Sequence, residues 1–362
     1  MDFKWCCYGS RKMEQDSLAE LSSEKNVRLF TYKVLKSATE SFHQSHKIGR
    51  GGFGTVYKGI LRDGTPIAAK VLSAESRQGL NEFLTEIDVI TNVKHPNLVQ
   101  LFGCCVEGKN RILVYEYAEN NSLDHALLGF NSERAKMDWG IRSQICIGIA
   151  KGLAYLHEGV EPPIVHRDIK ASNILLDKTF FPKIGDFGLA KLFPDNITHI
   201  STRVAGTTGY LAPEYAVQGQ LTKKADIYSF GVLVIEIISA KSVSRHNWLG
   251  TDRVLLEWIW ELYEDGKLTD AVDPSLGNYP EEEVLRYIKV ALFCTQAAAG
   301  RRPSMPEVLR MLSNPVRINE NELTRPGFSQ GSKGLEEASK TSFPSITTFP
   351  PSAASLTDIA PR

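Results

Sequence analysis

No apolar run in this 362-residue chain is long enough to span a bilayer; the longest, Phe230 to Ala240, is short and is broken by Glu236. Residues 1–29 lack the continuous apolar core of a secretory signal, and Asp2 rules out N-myristoylation. Neither sign of charge is in excess, with 42 basic residues against 42 acidic, so bulk electrostatics give no reason to expect a nucleic-acid partner. Cysteine is scarce, at six. Cys6-Cys7, Cys104-Cys105, Cys146 and Cys294 show neither a disulfide framework nor metal-ligand spacing with nearby histidines. What is present, 42% hydrophobic and 23% charged residues, is the composition of a soluble globular protein. The length suits one large two-lobed domain with flanking segments.

Residues 1–41 read as a flexible lead-in ending in a short helix, with Leu35, Ala38 and Phe42 at helical spacing. Cys6-Cys7 lies beside Phe3 and Trp5 and is followed by Arg11 and Lys12. Paired S-acyl chains plus basic charge are the two signals that stable membrane anchoring needs. The bland alternative is an unmodified terminal dipeptide. From Lys47 to Leu113 strands alternate with turns, Asp63-Gly64 marking a tight hairpin. One helix interrupts them, at Gln78–Val93. After Tyr117 the pattern is mainly helical, over Ile141–His157, Asp226–Ser239, Leu255–Glu264, Glu281–Thr295 and Met305–Leu312. The folded domain is expected over 42–314. Residues 315–362 are rich in Ser, Thr and Pro and are expected to form a disordered tail.

Gly49-Arg50-Gly51-Gly52-Phe53-Gly54-Thr55-Val56 is a G-x-G-x-x-G-x-V loop, whose bare backbone can approach phosphate oxygens. Alone it is ambiguous with a dinucleotide-binding fingerprint, which would run into a helix and then an acidic residue. Here Val56 to Ile60 continues as a strand, turns at Asp63-Gly64, and returns through Ile67-Ala68-Ala69 to Lys70. An unpaired ammonium in that apolar strand would be costly, so Lys70 needs a carboxylate. Glu86 in the following helix has the better register for it, with Glu82 as the rival one turn earlier. Farther on, His166-Arg167-Asp168-Ile169-Lys170-Ala171-Ser172-Asn173 and Asp186-Phe187-Gly188 supply what phosphoryl transfer to a hydroxyl requires. Asp168 is the candidate base or orienting group, and Lys170 can neutralise charge on the moving phosphoryl. Asn173 and Asp186 can ligate Mg²⁺ through oxygen. His166, in an apolar setting, reads as a packed structural residue.

Together these residues resemble the eukaryotic protein kinases, in order and without gaps from about Phe42 to Leu312. The resemblance implies an α+β bilobal fold, with a five-stranded antiparallel N-lobe sheet plus one helix and a mainly helical C-lobe. It implies ATP and Mg²⁺ as cofactors. The nucleotide would be held by Gly49, Arg50, Gly51, Gly52, Phe53, Gly54, Val56, Ala68, Lys70, Glu86, Leu175 and the backbone of Glu116 and Ala118. Ala212-Pro213-Glu214 resembles the end of an activation segment, Arg302 the arginine pairing with Glu214, and Asp226 the support beneath the catalytic loop. Ile90, Leu101, His166 and Phe187 would stack between the lobes. Ala69 departs from the usual Val or Ile, and is expected to trim packing beside the nucleotide.

Lys170 after Asp168, with Thr207, is similar to the serine/threonine class. Tyr115 and the phrase Phe53-Gly54-Thr55-Val56-Tyr57-Lys58-Gly59 resemble the plant receptor-like kinases, and more narrowly their cytoplasmic members. The expected partners are therefore Ser/Thr-bearing protein substrates and a membrane receptor kinase, and not nucleic acid. The expected location is cytoplasmic, peripheral to the plasma membrane if Cys6 and Cys7 are acylated. Arg167 and Lys191 would form a basic cluster answering a phosphate at Ser201, Thr202, Thr207 or Thr208, with Thr202 the primary site and Thr207 a contact to Asp168 and Lys170. A catalytically silent scaffold of the same fold would usually have lost Lys70, Asp168 or Asp186; all are present. A small-molecule kinase is disfavoured by the long segment from Asp186 to Glu214.

Overall fold

The computed structural model describes residues 27–51, 54–72, 77–91, 93–129, 134–194, 199–243, 254–316 and 318–327. Strands β1 (Lys47–Gly51), β2 (Gly54–Ile60), β3 (Pro66–Leu72), β4 (Leu101–Glu107) and β5 (Asn110–Glu116) form one antiparallel sheet, ordered β1-β2-β3-β5-β4. Asp63 and Gly64 make the β2–β3 turn. The Asp63 Oδ1 accepts from the Thr65 N–H at 2.9 Å, and Gly64 takes φ +86° at no steric cost.

Alternation along β3 divides its side chains between two faces. Ala68 and Lys70 line the cleft below the sheet, whereas Ile67 and Ala69 join Ile112, Val114 and Cys105 in a separate core. That core is closed by Phe30 and by helix α1 (Tyr32–Ala38), which buries Leu35 completely and is capped by the Thr31 hydroxyl. The reduced side chain at Ala69 is therefore on the α1 side of the sheet. It cannot loosen the ligand side, contrary to the expectation from sequence, because the strand period of two turns it away.

Helix α2 (Arg77–Ile90) packs its apolar face, with Phe83, Ile87 and Ile90, towards the main core. The second half is built on α3 (Trp139–Glu158) and α5 (Lys223–Ser239), with α4 (Pro213–Gln218), α6 (Leu255–Glu264), α7 (Glu281–Cys294) and α8 (Met305–Ser313) around them. From Ala225 to Ser239 every residue of α5 is buried, as expected of a helix apolar on all sides. Gly148 in α3 looks costly for a helix, yet a Cβ there would lie 2.4 Å from Pro182 Cγ and 2.7 Å from Asn97 Nδ2. Close approach of α3 to the Pro182 and Asn97 side chains explains it. Three two-stranded ribbons then hold the loops above these helices. They pair β6 (Ile164–Val165) with β9 (Lys191–Leu192), β7 (Ile174–Leu176) with β8 (Pro182–Ile184), and β10 (Ile200–Ser201) with β11 (Gln220–Leu221).

The folded unit reaches past both domain edges expected at 42 and 314. Phe30 and Leu35 on one side, and Ile318 and Leu323 on the other, find apolar cores to join. Leu35→Ala should lower the unfolding free energy by about 2–5 kcal/mol, the range for a buried leucine truncated to alanine. Urea titration measures it, and an unchanged midpoint would place α1 outside the cooperative fold.

Candidate active site

A cleft of about 580 Å³ opens beneath the sheet, within the usual size for a small-ligand site. Ile48, Gly49, Val56 and Ala68 form its roof, Glu116 and Ala118 its rear, and Leu175, Asp168, Asn173 and Asp186 its floor. Arg50, Gly51 and Gly54 also line it, while Gly52 and Phe53 lie outside the described residues. Gly54 is dictated by packing, since a Cβ would fall 2.3 Å from the Val71 carbonyl oxygen. At Gly51 a Cβ would meet nothing within 4 Å, so the bare backbone there leaves room over the cleft.

The Lys70 ammonium lies between two carboxylates, 2.9 Å from Glu86 Oε2 and 2.7 Å from Asp186 Oδ1. Burial works against the charge, but the two anions outweigh it and hold the Lys70 pKa above its ordinary value. For Asp186 burial likewise opposes ionisation, and Lys70 overrides it, keeping the carboxyl below its usual range. Glu86 is the partner the sequence favours; the rival Glu82 packs instead against Gly188, a Cβ on which would lie 3.3 Å from Glu82 Cβ. The other Glu86 oxygen accepts from the Tyr115 hydroxyl, a lock on the ion pair that sequence reasoning missed. A tyrosine inside the apolar strand Ile112–Tyr115 is the signal, because its hydroxyl must find an acceptor when buried.

On the floor, Asp168 is surrounded by donors. Lys170 Nζ lies 2.8 Å from Oδ2, the Asn173 amide donates at 3.0 Å, and the Thr207 hydroxyl donates to Oδ1 at 2.8 Å. Lys170 also reaches Thr207 Oγ1 at 2.8 Å, which is the contact expected of Thr207. The backbone carrying this set is strained, with Arg167 at φ +72° and Asp186 at φ +63°. Buried Asp226 holds the first of these, accepting from the His166 and Arg167 N–H groups at 2.8 Å each, with His157 2.9 Å away. The His166 ring packs edge-on to Phe187 at 4.9 Å and its Nε2 lies 3.1 Å from the Gly185 carbonyl, a packed role as expected. Ile90 is in the same core as Phe187, and Leu101 packs against it.

Along 186–214 the expected basic cluster is divided. Lys191 Nζ faces the Thr202 hydroxyl at 3.2 Å, whereas Arg167 spends its donors on the Leu189 and Arg203 carbonyls and the Tyr215 hydroxyl. Glu214 meets Arg302 in a two-point ion pair of 2.7 and 2.8 Å. Tyr210 is a second feature the sequence reading missed. Its hydroxyl donates to Glu236 in the middle of α5, and its carbonyl accepts from Ser229 at 2.7 Å. A glutamate in an apolar run needs such a partner, which was the available signal.

This arrangement is that of a phosphotransferase cleft, and the protein kinase domain family matches residues 42–311. The chain belongs to that family, and within it to the serine/threonine kinases of the plant receptor-like type. Members use ATP with a divalent metal. The chain is similar to Cold-responsive protein kinase 1 of Arabidopsis thaliana, 56% identical over 326 residues that cover 89% of this chain and 83% of that protein. Two probable LRR receptor-like serine/threonine-protein kinases of the same plant are 51% and 50% identical. The chain spans only 31% and 32% of their lengths. Among the described residues no helix is long and apolar enough to cross a membrane.

Burial raises the Glu236 pKa to about 7 from 4.5, despite the bonds from Tyr210 and Val243. Between those values the folded state keeps a proton that the unfolded state has lost, so this group's contribution to stability falls as pH rises through that window. Relative to wild type, Glu236→Gln should therefore lose up to about 3 kcal/mol less stability between pH 5 and pH 8. Urea unfolding at the two pH values measures this, and parallel curves for both proteins would contradict it.

Proposed function

We propose that the cleft transfers the γ-phosphate of ATP to Ser and Thr hydroxyls of protein substrates. The observation that carries this reading is the Lys70 ammonium, fixed by Glu86 and Asp186 in the same cleft as Asp168, Lys170 and Asn173. The purine would lie between the apolar roof of Val56 and Ala68 and the floor at Leu175, with its edge against the backbone of Glu116 and Ala118. Lys70 would hold the phosphates nearer the base, and the N–H groups of the Gly49–Gly54 loop the outer ones. Asp168 would orient the acceptor hydroxyl and take its proton as the new P–O bond forms and the bond to the departing ADP oxygen breaks. Lys170 would offset negative charge on the moving phosphoryl.

The residues also fit a divalent metal. Asn173 turns its amide nitrogen to Asp168, at 2.8 and 3.0 Å, which leaves its oxygen for a cation, and Asp186 adds a carboxylate. Among the described residues no group of three or more His, Cys, Asp or Glu side chains could hold a metal alone. Two hard oxygens plus nucleotide phosphates and water suit Mg²⁺, which keeps part of its hydration shell. Bound there, Mg²⁺ would neutralise phosphate charge.

The Lys191–Thr202 contact supports activation by phosphorylation of the segment at 201–202, where a phosphate would gain a cation already in place. The receptor-like relatives support a place in plant intracellular signalling downstream of a cell-surface receptor. Attachment to the cytoplasmic face of the plasma membrane through Cys6 and Cys7 rests on the sequence, since both lie outside the described residues. With ATP, Mg²⁺ and a protein acceptor, Asp168→Asn should cut phosphate incorporation by about 10²–10⁴-fold, the scale of a lost acid–base group; equal incorporation would sink the reading. Alanine at both Ser201 and Thr202 should lower activity, and mass spectrometry of the wild type should find phosphate there. Cys6 and Cys7 both changed to Ser should move the protein from membrane to soluble fractions.

A further inference from the structure

Residues 314–316 and 318–327 lie beyond the matched domain and are nevertheless tied to it at several points. Arg286 donates to the Leu312 and Asn314 carbonyls, Lys289 pairs with Glu320 at 2.6 Å, and Thr324 donates to Gln296 Oε1 through both its backbone N–H, at 3.2 Å, and its hydroxyl, at 2.9 Å. Pro326 bridges to Gln296, and both Pro326 and Gly327 are buried.

Gly327 ends up against the Ala212-Pro213-Glu214 motif. A Cβ built on it would fall 2.6 Å from Pro213 Cγ and 2.9 Å from Ala297 Cα, so the fit requires glycine. Its N–H donates to the Thr295 carbonyl at 3.1 Å and its own carbonyl accepts from the Tyr228 hydroxyl. The Arg302 guanidinium lies 5.0 Å from the centre of the Tyr228 ring, and Arg302 grips Glu214 through both oxygens. The contacts therefore close a ring through Gly327, Pro213, Glu214, Arg302 and Tyr228.

Helix α4, which starts at Pro213, needs such bracing. It has six residues and no side-chain cap at Ala212, too little to hold its own position. Just upstream lie Tyr210, bound to α5, and Thr207, bound to Asp168. Pro213 is thus only a few residues from a group bound to Asp168 on the floor of the cleft.

We propose that the 318–327 strap is a positioning element for the acceptor: Gly327 fixes the Pro213 end of the activation segment and so the surface on which a protein substrate docks. Residues of the strap touch no reacting atom. The inference rests on the protein-acceptor reading above. A wild type that phosphorylates no protein contradicts that reading, whereas an active wild type matched by an altered strap contradicts only the inference.

The test uses the full chain with Gly327→Val, which sets a branched side chain against Pro213, and dephosphorylated casein as acceptor. The expected result is a loss of about tenfold or more in kcat/KM for casein with the KM for ATP within about twofold, since misplacement of one substrate costs rate without altering the other's site. Asp265→Asn, which removes an exposed ion pair with Lys267 outside the strap, should leave both parameters at wild-type values. Unchanged casein kinetics in a folded Gly327→Val would overturn the proposal. So would equal losses for ATP and casein that track a fall in Tm, because the strap would then only stabilise the fold. If Gly327→Val does not fold, Tyr228→Phe removes only the hydroxyl donor, and the same comparison of casein against ATP decides the matter.

Discussion

One ammonium group, on Lys70, joins three elements of this protein: the strand that carries it, helix α2 through Glu86, and the Asp186 turn. The Glu86 carboxylate and the Lys70 ammonium would be expensive to bury alone, and together they are tolerated. Removing Lys70 would leave two carboxylates without their cation. The pairing therefore fixes α2 inward against the sheet and fixes Asp186 in its left-handed conformation over the cleft floor. Tyr115 donates to the remaining Glu86 oxygen, so the carboxylate has no slack with which to follow a different partner.

A second buried carboxylate does for the floor what Glu86 does for the roof. Asp226 takes two consecutive backbone N–H groups, of His166 and Arg167, and thereby maintains a strained φ at Arg167 that no local preference would keep. Asp168, Lys170 and Asn173 follow immediately and inherit that geometry. Tyr210 and Glu236 extend the same device to the segment that runs from Asp186 to Glu214, and Arg302 with Glu214 anchors its far end. Helix α5 supplies Asp226, Tyr228 and Glu236, which places three anchors on the stretch that is buried from Ala225 to Ser239.

Much of this was legible in the residues alone. The helix over Leu255–Glu264 and the turn at Asp63-Gly64 follow from periodicity and turn chemistry, and Glu86 was favoured over Glu82 by its register. Asp168, Lys170, Asn173 and Asp186 were identified by spacing, and the structure brings them into one cleft. Other features were not readable locally. Which face Ala69 occupies depends on what covers the sheet, and α1 covers it from outside the expected domain. Gly148 looks like a weak point until Pro182 and Asn97 are seen against it. The strap to Gly327 comes from a stretch whose composition suggests disorder; its few apolar residues matter because Ile318 and Leu323 pack against the main core. Partners of buried polar groups, such as Tyr115 and Glu236, announce that they need something without saying what.

The central claim is that Lys70 works only because two carboxylates hold it. The direct measurement is phosphate transfer by Glu86→Gln, in which the amide keeps the shape of the side chain and removes its charge. With the fold intact by circular dichroism and ATP saturating, the account predicts a fall in kcat of about 30-fold or more, the effect of about 2 kcal/mol lost from a buried charge pair. A folded Glu86→Gln enzyme with the wild-type rate would contradict it.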